Sequence, residues 1–253
     1  MMKERILKIT TSNSQSVMLM HFISTILCLY TLIYKSNSYW WLISLVVYFC
    51  TGCLGVTVTF HRYLSHRSYQ MPKVTEYIFS VFGALGGTGS PLGWAALHRA
   101  HHKHSDQALD PHSPQNSKLN VFFSRYQFKL DKWAVRDLIH QPFHKNLHSY
   151  YHLVIIAWSL LWLSFGFEYF LFIVAVPMAI QIWVSTASNI FNHWLGYRNF
   201  ATDEKSTNNA FIALLSWGEG WHNNHHKDPS RWNFKVKWWE FDISALIIGV
   251  IKK

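Results

Sequence analysis

The sequence is short of charge. Only 14% of its 253 residues are Asp, Glu, Lys or Arg, against roughly a quarter in an average soluble domain, and that shortage argues against an enzyme held wholly in water. Acidic residues are the scarcer sign. Thirteen Asp+Glu against 23 Lys+Arg leave a formal charge of +10, a balance suited to nucleic acid, an anionic membrane face or an acidic partner. Cysteine is nearly missing: Cys28, Cys50 and Cys53 all lie in apolar stretches. That excludes a disulfide framework or a Cys-based zinc site and leaves the Cys50-x-x-Cys53 pair to face lipid or a neighbouring helix. Two catalytic signatures are absent as well, the His-Glu-x-x-His of zinc proteases and the Gly-x-Ser-x-Gly of serine hydrolases. No repeat, low-complexity tract or second soluble domain interrupts the chain, so residues 1–253 read as a single domain.

Half of the residues are apolar, yet the mean hydropathy of +0.04 is too low for a bundle immersed entirely in lipid. A bilayer core of about 30 Å requires roughly 20 apolar residues of helix, and four runs approach that: Val17 to Tyr34, Tyr39 to Phe60, Tyr150 to Gly166 and Phe167 to Ser188. Trp40 and Trp41 stand at an interface position, and Pro177 is expected to kink the last run. The first is read as a retained span, since no small-residue cleavage site follows it. Lys3, Arg5 and Lys8 precede the first run and nearly all other Lys and Arg fall in 61–149 and 189–253. The positive-inside rule therefore puts both termini and both long polar segments in the cytoplasm. The expected fold is an all-α integral membrane protein of four transmembrane helices carrying a helical cytoplasmic cap, 61–149 and 189–253. Between Tyr77 and Leu97 an apolar stretch is broken by Gly83, Gly86, Gly87, Gly89, Pro91 and Gly93, which suits a half-inserted or protein-buried segment. Its glycines lack the dinucleotide spacing, and close helix packing by small residues is the expected reason for them.

Histidine is in surplus, 16 in all, and grouped. His61-Arg-Tyr-Leu-Ser-His66 follows the second run, His98-Arg-Ala-His101-His102 follows the glycine-rich segment, and His222-Asn-Asn-His225-His226 lies in the tail. Residues three and four apart share a helix face, so each three-histidine set can converge on one point. The five-residue spacing of His61 and His66 suits a helix that unwinds as it leaves the membrane. Neutral imidazole binds iron, zinc, copper and nickel, and three such groups overfill one tetrahedral ion, so two metals are expected. His140, His144, His148 and His152 recur every four residues, but Pro142 breaks the ladder, and a surface-lying amphipathic helix over 132–151 is the preferred reading. His104 and His112 receive no role.

In order and spacing, these boxes resemble the membrane fatty acyl desaturases, in particular the stearoyl-CoA and acyl-lipid Δ9 branch. The likeness runs from about Tyr39 to the Asp242 region. It includes Arg67-Ser-Tyr69 after the first box, Asp110-Pro-His-Ser-Pro114, Asn189 and His193 in Asn-Ile-Phe-Asn-His-Trp-Leu-Gly-Tyr-Arg198, and Gly218-Glu-Gly-Trp-His-Asn-Asn-His-His226. The resemblance implies two iron ions held by His61, His66, His98, His101, His102, His193, His222, His225 and His226, with Asn189 reaching a metal through water and Glu219 supporting a ligand from behind. His193 carries no spacing signal of its own.

What the resemblance implies is O₂-dependent insertion of a cis double bond, at Δ9, into a saturated acyl chain. An unactivated methylene offers neither an acidic proton nor a leaving group, so a metal-based oxidant is the chemistry that fits, and a narrow tunnel of aromatic and aliphatic side chains is expected to select the carbon. Ala96-Leu97 stand where the animal acyl-CoA branch carries Arg-Asp, and Asn120-Val-Phe-Phe-Ser-Arg-Tyr-Gln127 replaces that branch's usual pattern. The chain length and the Trp238-Trp-Glu-Phe-Asp242 segment resemble shorter bacterial and cyanobacterial-type enzymes, whose substrates are acyl-lipids or acyl-CoA. A bacterial-type cytoplasmic membrane is expected rather than the endoplasmic reticulum. Electrons would come from ferredoxin or cytochrome b5, since no flavin, haem or iron–sulfur motif is present, and nucleic acid is not expected as a partner. The competing readings are a related His-box hydroxylase or ketolase and, from another class, a metal transporter, which would place ionisable groups inside the spans.

Overall fold

In the computed structural model residues 2–126 and 132–253 are described, with side chains from residue 15 onward. Lys3, Arg5 and Lys8, on which part of the topology reading rests, and Gln127 therefore lie outside the described side chains. Among the described residues the regular elements are helices, and the only extended pairings are isolated bridges joining Tyr197, Asn208 and Trp221.

The helices are α1 (Met2–Tyr34), α2 (Trp40–Ser65), α3 (Lys73–Leu85), α4 (Pro91–His104), α5 (Pro114–Phe122), α6 (Arg136–Ile139), α7 (Pro142–Ser149), α8 (Tyr151–Phe165), α9 (Phe167–Phe191), α10 (Ala210–Leu215), α11 (His222–Lys227) and α12 (Ile243–Ile251). Sequence chemistry marks several starts. Ser90, with Pro91 next to it, caps α4 by accepting from the Gly93 amide, and Ser113 with Pro114 does the same for α5. Asn209 and Asp242 cap α10 and α12. Such side chains satisfy amides that have no partner in the first turn.

Among the described residues, three helices are long and apolar enough to cross a membrane: Gln15–Tyr34 within α1, α2 and α9. The expected third span is shorter than that. Helix α8 has 15 residues, about 22 Å of helix against a core of about 30 Å, because Gly166, at φ 136°, ends it before α9 begins. Helix α2 does not unwind at the histidines either. From Phe49 to Ser65 it widens to π-type hydrogen bonding, and the His66 amide donates to the His61 carbonyl at 3.2 Å. In such a helix residues five apart share a face, so widening brings His61 and His66 together. Pro177 sits about three turns into α9, just after a second wide segment, Leu171–Ala175, which accommodates the donor that proline lacks.

The glycine-rich stretch packs inside the protein. A Cβ on Gly55 would lie 2.2 Å from the Gly83 amide nitrogen, so α2 and α3 cross backbone to backbone, the close approach that small residues permit between membrane helices. The tail is not stacked wholly above the spans. The Tyr48 hydroxyl donates to the Leu215 carbonyl at 2.6 Å, and Trp217 packs on Phe49, reaching the first half of α2.

Candidate metal centre

Four elements bring histidines to one level: the end of α2, the last two turns of α4, the turn after α9 and the short helix α11. Among the described residues they form two groups. His61, His66, His98, His102 and His225 make the first; His101, His193, His222 and His226 make the second; within each, the ring nitrogens lie within 4.8 Å of one another. The alternation within α4 is the helical consequence of spacing: His98 and His102, four apart, face one group, while His101 faces the other.

Nε2 atoms point inward in both groups. His61 and His225 approach to 3.0 Å, His66 and His98 to 2.7 Å, and His102 and His225 to 2.9 Å. In the second group His193 and His222 stand 3.0 Å apart and His101 and His226 3.3 Å. Ligand nitrogens about 2.1 Å from an ion, at right angles to one another, are about 3.0 Å apart, so these spacings match edges of an octahedron. Burial favours the neutral imidazole that a metal requires. It pushes His98, His101, His102, His222, His225 and His226 well below the ordinary histidine value, with neighbouring histidines adding to the effect. Burial and then Arg99 and Arg62 lower His66 to about 3.

Four of the outward nitrogens meet carboxylates. His101 Nδ1 bonds Asp110 at 2.9 Å and His193 Nδ1 bonds Asp106 at 2.9 Å; Glu204 lies 3.7 Å from His226 Nδ1. Glu219 faces His61 Nδ1 and is itself held by Arg62 at 3.0 Å. A carboxylate behind a ligating histidine fixes the ring and its tautomer. Burial raises the Glu219 carboxyl to about 7 against the pull of Arg62. Burial opposes ionisation of Asp106 too, but its bonds to His193, Ser113 and the Lys205 amide hold it at about 2. The Gly218-Glu-Gly220 turn requires its glycines: Gly218 has φ 115°, and a Cβ there would meet Asp242 at 2.4 Å, while one on Gly220 would meet the Ala213 amide at 2.1 Å.

All nine histidines singled out in the sequence thus converge. Asn189 does not join either group; its amide donates to the Tyr126 hydroxyl at 3.4 Å and it lines an adjoining cavity of about 160 Å³. His61, His98 and His222 open onto that cavity, as do Trp94, Leu97 and Ile182. Its wall is more polar than the expected aromatic and aliphatic tunnel, for Thr57, Ser90, Gln181 and Ser185 also line it. His112, given no role from sequence, is buried, stacks on His101 at 4.2 Å and also borders the cavity. Its backbone amide donates to Asp110; the Asp110-Pro-His112 triplet was the only available signal.

Among the described residues, the four-residue histidine ladder does not gather into a cluster. Two short helices, α6 and α7, replace the single surface helix. His140 is exposed, while His144 bonds buried Glu76 at 2.8 Å, His148 bonds Ser90 at 2.6 Å and His152 bonds Ser16 at 2.8 Å. Arg62 also escaped the sequence reading. Fully buried, it bonds Asp242 at 2.8 Å, Glu219 at 3.0 Å and the Trp232 carbonyl at 2.8 Å, and stacks on Phe234.

A family model described as fatty acid desaturase matches residues 39–243. The chain belongs to the fatty acid desaturase family. It is 35% identical to an acyl-CoA C20 Delta5-desaturase of Anemone leveillei over 99% of this chain and 84% of that protein. It is 35% identical to an sn-2 palmitoyl-lipid 9-desaturase of Nostoc over 79% of this chain and 74% of the relative, and 33% identical to an sn-1 stearoyl-lipid 9-desaturase of Anabaena variabilis over 83% and 79%. Desaturase relatives acting at different positions and on different carriers thus stand at nearly equal distance. As a member of this family the chain is an oxidoreductase of lipid metabolism, its histidine clusters able to bind metal.

Proposed function

We propose that this desaturase introduces a cis double bond at Δ9 of a saturated, lipid-borne acyl chain, using two irons. His61, His66, His98, His102 and His225 would hold one iron; His101, His193, His222 and His226 would hold the other, with Asn189 acting through water. Both groups consist of buried neutral imidazoles, the ligand type that suits iron. The irons would supply the oxidising power, drawn from O₂ and two external electrons, that removes hydrogen from an unactivated methylene.

The protein's own contribution is positional. Asp106, Asp110 and Glu219 hold His193, His101 and His61 from behind, fixing which nitrogen faces inward. The cavity lets a chain lie against His61, His98 and His222 while Trp94 and Leu97 exclude water from the reacting carbon. Both termini are assigned to the cytoplasm, in a bacterial-type membrane, with ferredoxin or cytochrome b5 as donor.

The observation that carries this reading is the convergence of nine histidine nitrogens on two points beside one cavity. Expression in a host lacking unsaturated lipid, followed by location of double bonds in each lipid class, tests it. A cis-Δ9 product in glycerolipid is expected, absent in His222→Ala together with most of the bound iron. An oxygenated product without an alkene would overturn the desaturase assignment.

A further inference from the structure

The carrier of the acyl chain follows from a second hollow. On the flank of α9, facing α5, lies an apolar groove of about 400 Å³ that is lined by Leu119, Phe122, Phe123, Trp183 and Ile190, with Lys118 on its rim. It lies back to back with the active-site cavity. Phe123 faces the groove and the next residue, Ser124, faces the cavity; Ala187 and Ile190 face the groove, while Ser188 and Asn189 between them face the cavity. Neighbouring residues of the same two segments thus line both hollows.

That shared wall is polar in its middle. The Ser188 hydroxyl and His21 Nε2 are buried without a hydrogen-bond partner, and His21 Nδ1 meets Ser124 at 3.3 Å. Unpartnered polar atoms in an apolar setting cost stability unless a ligand completes them. The groove offers carbon along its length and a cation at its mouth: Lys118 is exposed and its ammonium rests 4.2 Å over the ring of exposed Trp194. Tryptophan and lysine at the end of a spanning helix mark the membrane interface.

We propose that this groove is a lateral entrance for an intact glycerophospholipid, whose acyl chain passes from the bilayer between α5 and α9 into the cavity while Lys118 holds its phosphate. The ester carbonyl then lies at the wall, within reach of the Ser188 hydroxyl. A nucleotide-bearing carrier finds no match in the groove, where among the described lining residues the side-chain donors are Lys118, Trp183 and Thr186. This inference rests on the desaturase reading for its substrate, but binding can be tested without turnover.

The probe is a phosphatidylglycerol carrying a photoactivatable diazirine on one acyl chain, incorporated with the iron-loaded protein into nanodiscs. Crosslinks are expected on residues 119–123 and 183–190, and they should fall sharply in Ala187→Phe, which fills the groove from α9. Lys118→Gln, an exposed change that leaves the fold alone, should raise the KM for lipid-borne chains about fivefold, as expected for one surface cation facing a phosphate, with kcat unchanged. Crosslinking that spreads evenly over the lipid-facing helices and ignores Ala187→Phe would overturn the proposal. So would wild-type turnover of acyl-CoA alone that Ala187→Phe abolishes, because the groove would then serve a soluble carrier. If wild-type protein crosslinks at the groove yet desaturates nothing, the catalytic assignment fails and the lipid site stands.

Discussion

Arg62 shows how one residue organises the space behind the histidines. It is fully buried and holds Glu219 and Asp242 together. Glu219 faces His61, and Asp242 caps α12 and accepts from the Phe234 amide. Removing one member of a buried ionic cluster strands the others, at a cost of about 3–5 kcal/mol. Arg62→Met should therefore lower the thermal midpoint of the detergent-solubilised protein markedly. The double change Arg62→Met with Asp242→Asn should cost less than the single one, since it leaves one fewer unpaired charge. Equal losses in both would show that Asp242 is not Arg62's energetic partner. Sequence spacing identified His61, one residue away, because the histidines are in surplus and grouped; a single arginine beside it carried no comparable signal.

Among elements, the histidines are positioned by two helices whose ends are tied. The Arg99 guanidinium, on α4, donates to the Leu64 and Ser65 carbonyls at the end of α2 and to Asp137 on α6. Arg67 reaches the same carboxylate at 2.8 Å. Burial opposes the ionised form of Asp137, but its bonds to Arg99 and Arg67 outweigh that and bring it down to about 2. A carboxylate depressed in the folded state stabilises above its unfolded value near 3.8 and loses that contribution as pH falls from there toward about 2. Acid unfolding should thus begin in that window and shift upward in Asp137→Asn, followed by loss of helical signal between pH 5 and 2; an unchanged profile would show that Asp137 does not help tie α4 to the end of α2. Helix α2 itself was legible as an apolar run, but not its wide turn. Side-chain hydropathy reports which face meets lipid and says nothing of whether the backbone bonds four or five residues back. The boundary at Gly166 was legible as the end of the third run, and the structure adds that the helix before it, α8, has 15 residues.

For the molecule as a whole, the formal charge is +10, and the proposed reaction draws its electrons from an external donor. An acidic one-electron donor should be drawn to the basic face, so donor-limited turnover should fall as ionic strength rises and the Debye length shrinks below about 8 Å. Turnover independent of salt while donor transfer limits the rate would exclude electrostatic steering.

The sequence by itself determined the family, the nine histidines and the presence of long apolar helices, because these rest on residue type and local period. Tertiary structure alone decided how α4 divides its histidines between two groups, that Arg62, His112, Asp106 and Asp110 stand behind them, and that an apolar groove adjoins the cavity. Those are contacts between segments as much as 180 residues apart, as in the bond from Arg62 to Asp242. Spacing along a chain cannot express them, since they exist only once α2, α4, α9 and the tail have packed.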